Sequence, residues 1–128
     1  SNDPTKLAGD TATQERIARA QHEIDGMEAL LFRNFDRMMD LVNAGEEVPL
    51  DDRIHYRYQA SLVIEKSIEI VDLLFEVAGG GSVFLGSEIQ QRFLDIHTAR
   101  AHVANNPVSF ARNLGAVALG TENKDMFV

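Results

Sequence analysis

From Thr11 onward, apolar residues recur at helical spacing. Ile17, Ile24, Met27, Leu31, Phe35, Met38 and Val42 follow one another at three, four or seven residues, the signature of one buried face on a helix. Asp10 or Thr11 can serve as its N-cap, Gln14 stands three residues after Thr11 as in a capping box, and Gly45 closes the helix beyond Ala44. A second helix starts near Asp51 or Asp52, whose carboxylates suit a helix N-terminus. Its apolar face is Ile54, Tyr58, Leu62, Ile68, Val71 and Phe75, and it ends at the glycines 79–81. A third helix has Ser87 as N-cap and Asn105-Asn106 as its stop. The fourth begins at Pro107 with Asn106 as cap and runs through Phe110, Leu114 and Val117 towards Gly120.

Period-two alternation is absent, so the pattern predicts an all-α chain, an antiparallel four-helix bundle over residues 11–120. Residues 1–10 read as a flexible lead or a cloning remnant, and 121–128 as a polar C-terminal tail. The first two helices are longer than a compact bundle needs. A partner domain or subunit is therefore expected against them.

The 128 residues carry a formal net charge of −8, which argues against nucleic-acid binding, since phosphates require clustered Lys and Arg. The charge is uneven: residues 1–52 hold 5 basic and 12 acidic side chains, residues 53–128 hold 7 and 8. An anionic ligand is repelled less in the second half. Without cysteine, no disulfide, thiolate metal site or cysteine nucleophile can form. No apolar run reaches membrane-spanning length, and the polar start "SNDPTKLAGD" has no signal-peptide pattern. A cytoplasmic protein without a membrane partner is the expectation.

Two stretches carry candidate chemistry. "GGGSVFLG", residues 79–86, is no P-loop, because no Gly-Lys-Ser/Thr follows, and no dinucleotide fingerprint, because a helix precedes it. It is either a flexible interhelix turn or a place where bare backbone amides approach a phosphate. On the third helix Arg92, Asp95, Ala99 and His102 fall at i, i+3, i+7 and i+10, hence on one face, with Phe93, Ile96 and Val103 on another. That stripe is either a solvated face with an ordinary Arg92–Asp95 pair or a ligand surface on which the His102 imidazole exchanges hydrogen bonds with a phenol or peroxide. His97 lies about 140° around the helix from His102, and Asp52 and His55 lack the further carboxylates of a di-metal site. No metal site is expected. Neither a nucleophile elbow nor a zincin motif occurs, and Met27, Met38 and Met39 read as core filler.

The segment from Leu74 to His102 resembles the C-terminal helical domain of the acyl-CoA dehydrogenase-like flavoproteins. In that family a Gly-Gly turn precedes, by fifteen residues, the Asp of an Arg-x-x-Arg-Asp stretch. Gly79-Gly80 stand in that relation to Asp95 of "QQRFLD". "ARAHVANNPVSFARNLGAVALG" is similar to the flavin-dependent monooxygenase branch, the hydroxylase component of two-component systems. Three departures accompany the likeness: Leu94 replaces the usual Arg, Glu88 a frequent proline, and Glu122 of "LGTENKD" follows the Gly-Thr that the dehydrogenases' catalytic Glu precedes.

The resemblance implies a bundle of the acyl-CoA dehydrogenase C-terminal type, part of a longer enzyme and inactive alone. A separate flavin reductase would supply reduced FMN or FAD, with which the hydroxylase and O2 oxygenate an aromatic or phenolic substrate. His102 and Asn105 would contact the flavin–substrate region, and Gly79, Gly80, Gly81 and Ser82 would approach a flavin across the interface of a homo-oligomeric dimer or tetramer. Arg92 and Asp95 would be scaffold or interface groups. The alternatives are a non-catalytic helical oligomerisation module and an acyl-CoA dehydrogenase domain.

Overall fold

The computed structural model describes residues 4–78 and 88–128. Within them lie five α-helices: α1 (Pro4–Gly9), α2 (Thr11–Asn43), α3 (Leu50–Ala78), α4 (Glu88–Ala99) and α5 (Pro107–Ala118), with a 3-10 turn at Val103–Asn105 between the last two. Helices α2 to α5 are the four expected from the sequence, and no strand occurs among the described residues. Ser87, the expected cap of α4, lies outside them.

Where the pattern suggests a flexible lead, Pro4–Gly9 form a short helix with proline in its first position. Asp10 caps α2, its Oδ2 accepting from the Thr13 amide at 2.8 Å and the Thr13 hydroxyl at 2.7 Å. The expected capping box is not made, because the Gln14 side chain instead donates to the Ala8 carbonyl at 2.7 Å and ties α1 to α2. The Thr13 hydroxyl, with the Thr13 amide, holds the Asp10 carboxyl below its ordinary 3.8. A depressed carboxyl stabilises the fold above its unfolded pKa, and that contribution is lost as pH falls through the lower, folded value. Acid is thus expected to loosen the α1–α2 junction below pH 3.8, read as faster amide exchange at Thr13. Asp10→Asn should remove the pH dependence of that exchange.

Helix α2 ends in a Schellman turn. Gly45, at φ +75°, donates to Val42 O at 3.0 Å, and Glu46 donates to Leu41 O at 2.9 Å. Gly120, at φ +97°, ends α5 in the same way, with Thr121 bonding back to Ala116 at 2.9 Å. After the first turn α3 runs back antiparallel to α2. Four polar contacts mark the register: Arg16–Glu76 at 3.1 Å, Glu23–Lys66 at 3.4 Å, Asn34–Gln59 at 2.7 Å and Arg37–Asp52 at 2.8 Å.

Helix α3 is the hub, packing against α2, α4, α5 and the 3-10 turn. Its buried residues Ile54, Ser61, Ile68 and Ile70 do not fall on a single stripe, since neighbours surround it. Helix α2 packs chiefly on α3 and corrects the sequence expectation. Ile17, Phe35 and Val42, read as core, are 47%, 54% and 58% exposed, and the buried positions are Thr13, Ala20 and Asn34. A helix with one main neighbour buries one narrow seam, so the rest of its apolar surface faces outward.

The C-terminal residues fold back onto α3 and α5. Asn113 Nδ2 donates to Asn123 Oδ1 at 2.8 Å, and Asn113 Oδ1 accepts from the Lys124 amide at 2.9 Å. Asp125 bridges to Arg57 Nε at 3.1 Å, and the Arg57 guanidinium lies 4.5 Å from the centre of the Phe110 ring.

Candidate functional site

The segment joining α4 to α5 holds the residues singled out from the sequence. Helix α4 stops at Ala99, earlier than the expected Asn105-Asn106, so His102 is not on a continuous helical stripe with Arg92 and Asp95. The chain tightens instead: Ala101 N bonds Thr98 O at 3.1 Å, His102 N bonds Ala99 O at 3.2 Å, and Asn105 N bonds His102 O at 2.9 Å. Asn105 explains the early stop. Its Nδ2 donates to the Ala99 carbonyl at 2.9 Å, a second bond to the acceptor that the His102 amide also uses, and so turns the helix end back on itself. Asn106 Oδ1 then accepts from Val108 N at 3.1 Å and caps α5, with Pro107 in the first turn.

His102 is exposed. Its Nδ1 accepts from the Ala104 amide at 3.1 Å, which fixes the tautomer of the neutral ring: Nδ1 is the acceptor and Nε2 carries the hydrogen. The free edge of His102 is therefore a hydrogen-bond donor. Beside it opens a cleft of about 500 Å³ lined by Glu65 of α3 and by Arg100, Ala101, Asn105, Asn106, Pro107 and Val108. Asn105 thus joins the two features, lining the cleft and bonded through its amide to His102. Arg100 and the two asparagine amides offer donors to an oxygen-rich group, and the Glu65 carboxylate adds an acceptor to the same lining.

Asn105→Ala removes the amide that closes α4. The expected outcome is a loss of about 1 kcal/mol in a thermal melt, with faster exchange confined to the last turn of α4 and the 3-10 turn.

The other half of the expected stripe disperses. Arg92 pairs weakly with Glu88 at 3.9 Å, Asp95 accepts from Gln91 at 2.7 Å, and the Arg92–Asp95 pair is not made. His97 takes a role that sequence reasoning missed. Its Nε2 lies 3.2 Å from Asp72 Oδ1 and its ring 4.3 Å from Phe93, which in turn meets Phe75 at 4.7 Å. This stack and the His97–Asp72 contact fasten α4 to α3. The spacing of Phe93 and His97, four residues apart beside an apolar position, was the available signal. Gly79, Gly80, Gly81 and Ser82, the expected cofactor-facing residues, lie outside the described residues. Among the described residues, no three His, Asp or Glu side chains gather as a metal ion requires. No described helix is long and apolar enough to cross a membrane.

Comparison with known proteins agrees with this fold. The family described as "Acyl-CoA dehydrogenase, C-terminal domain" matches residues 2–107. The oxygenase subunit HsaA of a flavin-dependent monooxygenase from Rhodococcus jostii (strain RHA1) is 33% identical over 102 residues, 80% of this chain and 27% of that protein. The oxygenase component of p-hydroxyphenylacetate 3-hydroxylase from Acinetobacter baumannii is 29% identical over 109 residues, 84% of this chain and 25% of its own length. The crystal structure of 3-HSA hydroxylase from Rhodococcus sp. RHA1 superposes with a TM-score of 0.90 at 30% identity, covering 97% of this chain and 33% of that one. The chain thus spans about a quarter of the length of these curated relatives.

Proposed function

The chain belongs to the acyl-CoA dehydrogenase C-terminal domain family, and from that premise we propose that it serves as the C-terminal domain of an oxygenase component in a two-component, flavin-dependent aromatic hydroxylase. The observation that carries this reading is the match of most of the chain to relatives named as flavin-dependent monooxygenases and hydroxylases, 80% of it in sequence and 97% of it in structure. In the full-length enzyme a separate reductase supplies reduced FMN or FAD, the substrate is an aromatic or phenolic small molecule, and subunits assemble as a homo-oligomer, dimer or tetramer. The outward apolar residues of α2, among them Phe32 and Met39, support assembly, because so large a patch on a lone chain is unfavourable.

Bound flavin supplies the activation of oxygen. This chain's residues supply hydrogen bonds. Arg100, Asn105 and Asn106 offer donors at the cleft. His102, held by Ala104 in the Nε2-protonated tautomer, donates to an oxygen atom rather than abstracting a proton there.

The test is to give the full-length protein reduced flavin, O2 and a panel of simple phenols. A hydroxylated product formed at the expense of reduced flavin supports the reading. Bleaching of bound oxidised flavin by an acyl-CoA, with no reductase present, would establish the dehydrogenase alternative. Tight oligomers with neither activity would leave the domain as an assembly module.

A further inference from the structure

Along the C-terminal half of α2, Phe32, Phe35, Met39 and Val42 fall at i, i+3, i+7 and i+10, the spacing of a coiled-coil seam. All four are between 54% and 62% exposed, so α3 leaves the stripe uncovered. At 1.5 Å per residue it is about 15 Å long, enough to seat about three turns of another helix.

The charges of α2 are sorted around this stripe. At 100° per residue, Glu28 falls on the stripe's own axis, one turn before Phe32, and Asp25 and Asp36 lie within about 80° of it. All four arginines of the helix, Arg16, Arg19, Arg33 and Arg37, lie about 120° or more away. Two of them are held towards α3, Arg16 by Glu76 at 3.1 Å and Arg37 by Asp52 at 2.8 Å. Glu28 and Asp36 are exposed and have no ion-pair partner among the described residues. Just past the helix stand Glu46 and Glu47, also exposed. The face is apolar along its middle and acidic around its rim.

That rim decides what can sit there. A second copy laid antiparallel on the same stripe would set Phe32 against Val42 and Phe35 against Met39, and Glu28 would then meet Glu46. A parallel copy would set Glu28 against Glu28 and Asp36 against Asp36. Like charges facing each other across an interface suppress such a pairing. Each of the other described helices exposes at most one large apolar residue, so none of them offers a matching stripe. The complement is a helix with an apolar seam between basic flanks, and it lies elsewhere.

We infer that this face of α2 docks a basic amphipathic helix belonging to the part of the parent enzyme outside this chain. The inference rests on the reading above in one respect, that the chain is one domain of a longer protein.

Three synthetic peptides of about three heptads each test it. One carries leucine along the seam and lysine on both flanks, one has glutamate in place of lysine, and one is the lysine peptide shuffled so that no seam remains. Each is titrated into the 128-residue chain, with the Met39 and Val42 methyl signals read by NMR. The lysine peptide should move both signals saturably, with a Kd of about 10–100 µM for so small an interface. The other two should bind at least about tenfold more weakly. Phe35→Gln, an exposed change that leaves the melting temperature nearly unchanged, should weaken the lysine peptide about tenfold. Glu28→Lys combined with Asp36→Lys should reverse the preference, so that the glutamate peptide binds more tightly. The full-length protein, its own helix in place, should take up none of the three. No flavin or substrate enters the titration, so its failure leaves the hydroxylase reading standing, and a failed hydroxylation assay leaves the titration readable. The inference is overturned if the two methyls stay still at millimolar lysine peptide, if the three peptides bind alike, or if Phe35→Gln or the charge reversal changes nothing. It is overturned equally if the full-length protein binds the lysine peptide as tightly as the chain does, or if the chain alone sediments as a dimer that Phe35→Gln dissociates.

Discussion

Phe110→Ala is expected to lower the stability of the chain by about 3 kcal/mol and its melting temperature by about 10 °C. Phe110 is 8% exposed, the largest side chain in the buried apolar set. It sits in the first turn of α5, where that helix meets α3. Removing it leaves a cavity that neighbours fill only in part. It also takes away the ring face beneath the Arg57 guanidinium, 4.5 Å from its centre. Arg57 in turn holds Asp125, so the C-terminal residues should loosen with α5. Phe110→Leu keeps most of the apolar volume and loses the ring face, so a fall of about 1 kcal/mol is expected. Thermal or urea melts of the three chains check this. Equal losses for alanine and leucine would mean that the Arg57 contact, not the packing, is what Phe110 contributes.

In the full-length enzyme, the largest functional effect is expected at His102. If its Nε2–H donates to the reacting region, His102→Ala should lower the hydroxylation rate about 10²–10⁴-fold while oligomer size and melting temperature stay nearly unchanged, since the side chain is exposed. Gln carries a donor at its outer nitrogen and should recover part of the rate. His102→Leu has none and should recover nothing. A rate that follows neither substitution would remove His102 from the reaction and leave its bond to Ala104 as its whole role.

Helix content was legible because caps and stops are local. Asp10, Gly45, Asn106, Pro107 and Gly120 act within a few residues of themselves, and each ends or starts a helix in the structure as the sequence indicates. Burial was less legible because it depends on neighbours. The regular apolar spacing of α2 marks its amphipathicity, but spacing cannot say which apolar residues face α3 and which face outward. The buried seam turned out to contain Thr13, Ala20 and Asn34, two of them polar. The candidate site was legible as a neighbourhood and not as a geometry. His102, Asn105, Asn106 and Arg100 lie around one connection, yet the helix that was to carry Arg92, Asp95, Ala99 and His102 on one face ends at Ala99. That ending depends on a side-chain bond from Asn105 six residues back, beyond the reach of periodicity. The Phe75–Phe93–His97 stack joins two consecutive helices; the spacing of Phe93 and His97 marks a shared face, but not the α3 residues that meet it.

Helix α3 ties its two sides together mechanically. Glu65 lines the cleft beside His102, while Lys66, the next residue and about 100° around the helix, bridges Glu23 of α2 at 3.4 Å. Adjacent residues of one rod thus face opposite neighbours, and a turn of that rod about its own axis cannot shift Lys66 against α2 without carrying Glu65 at the cleft wall.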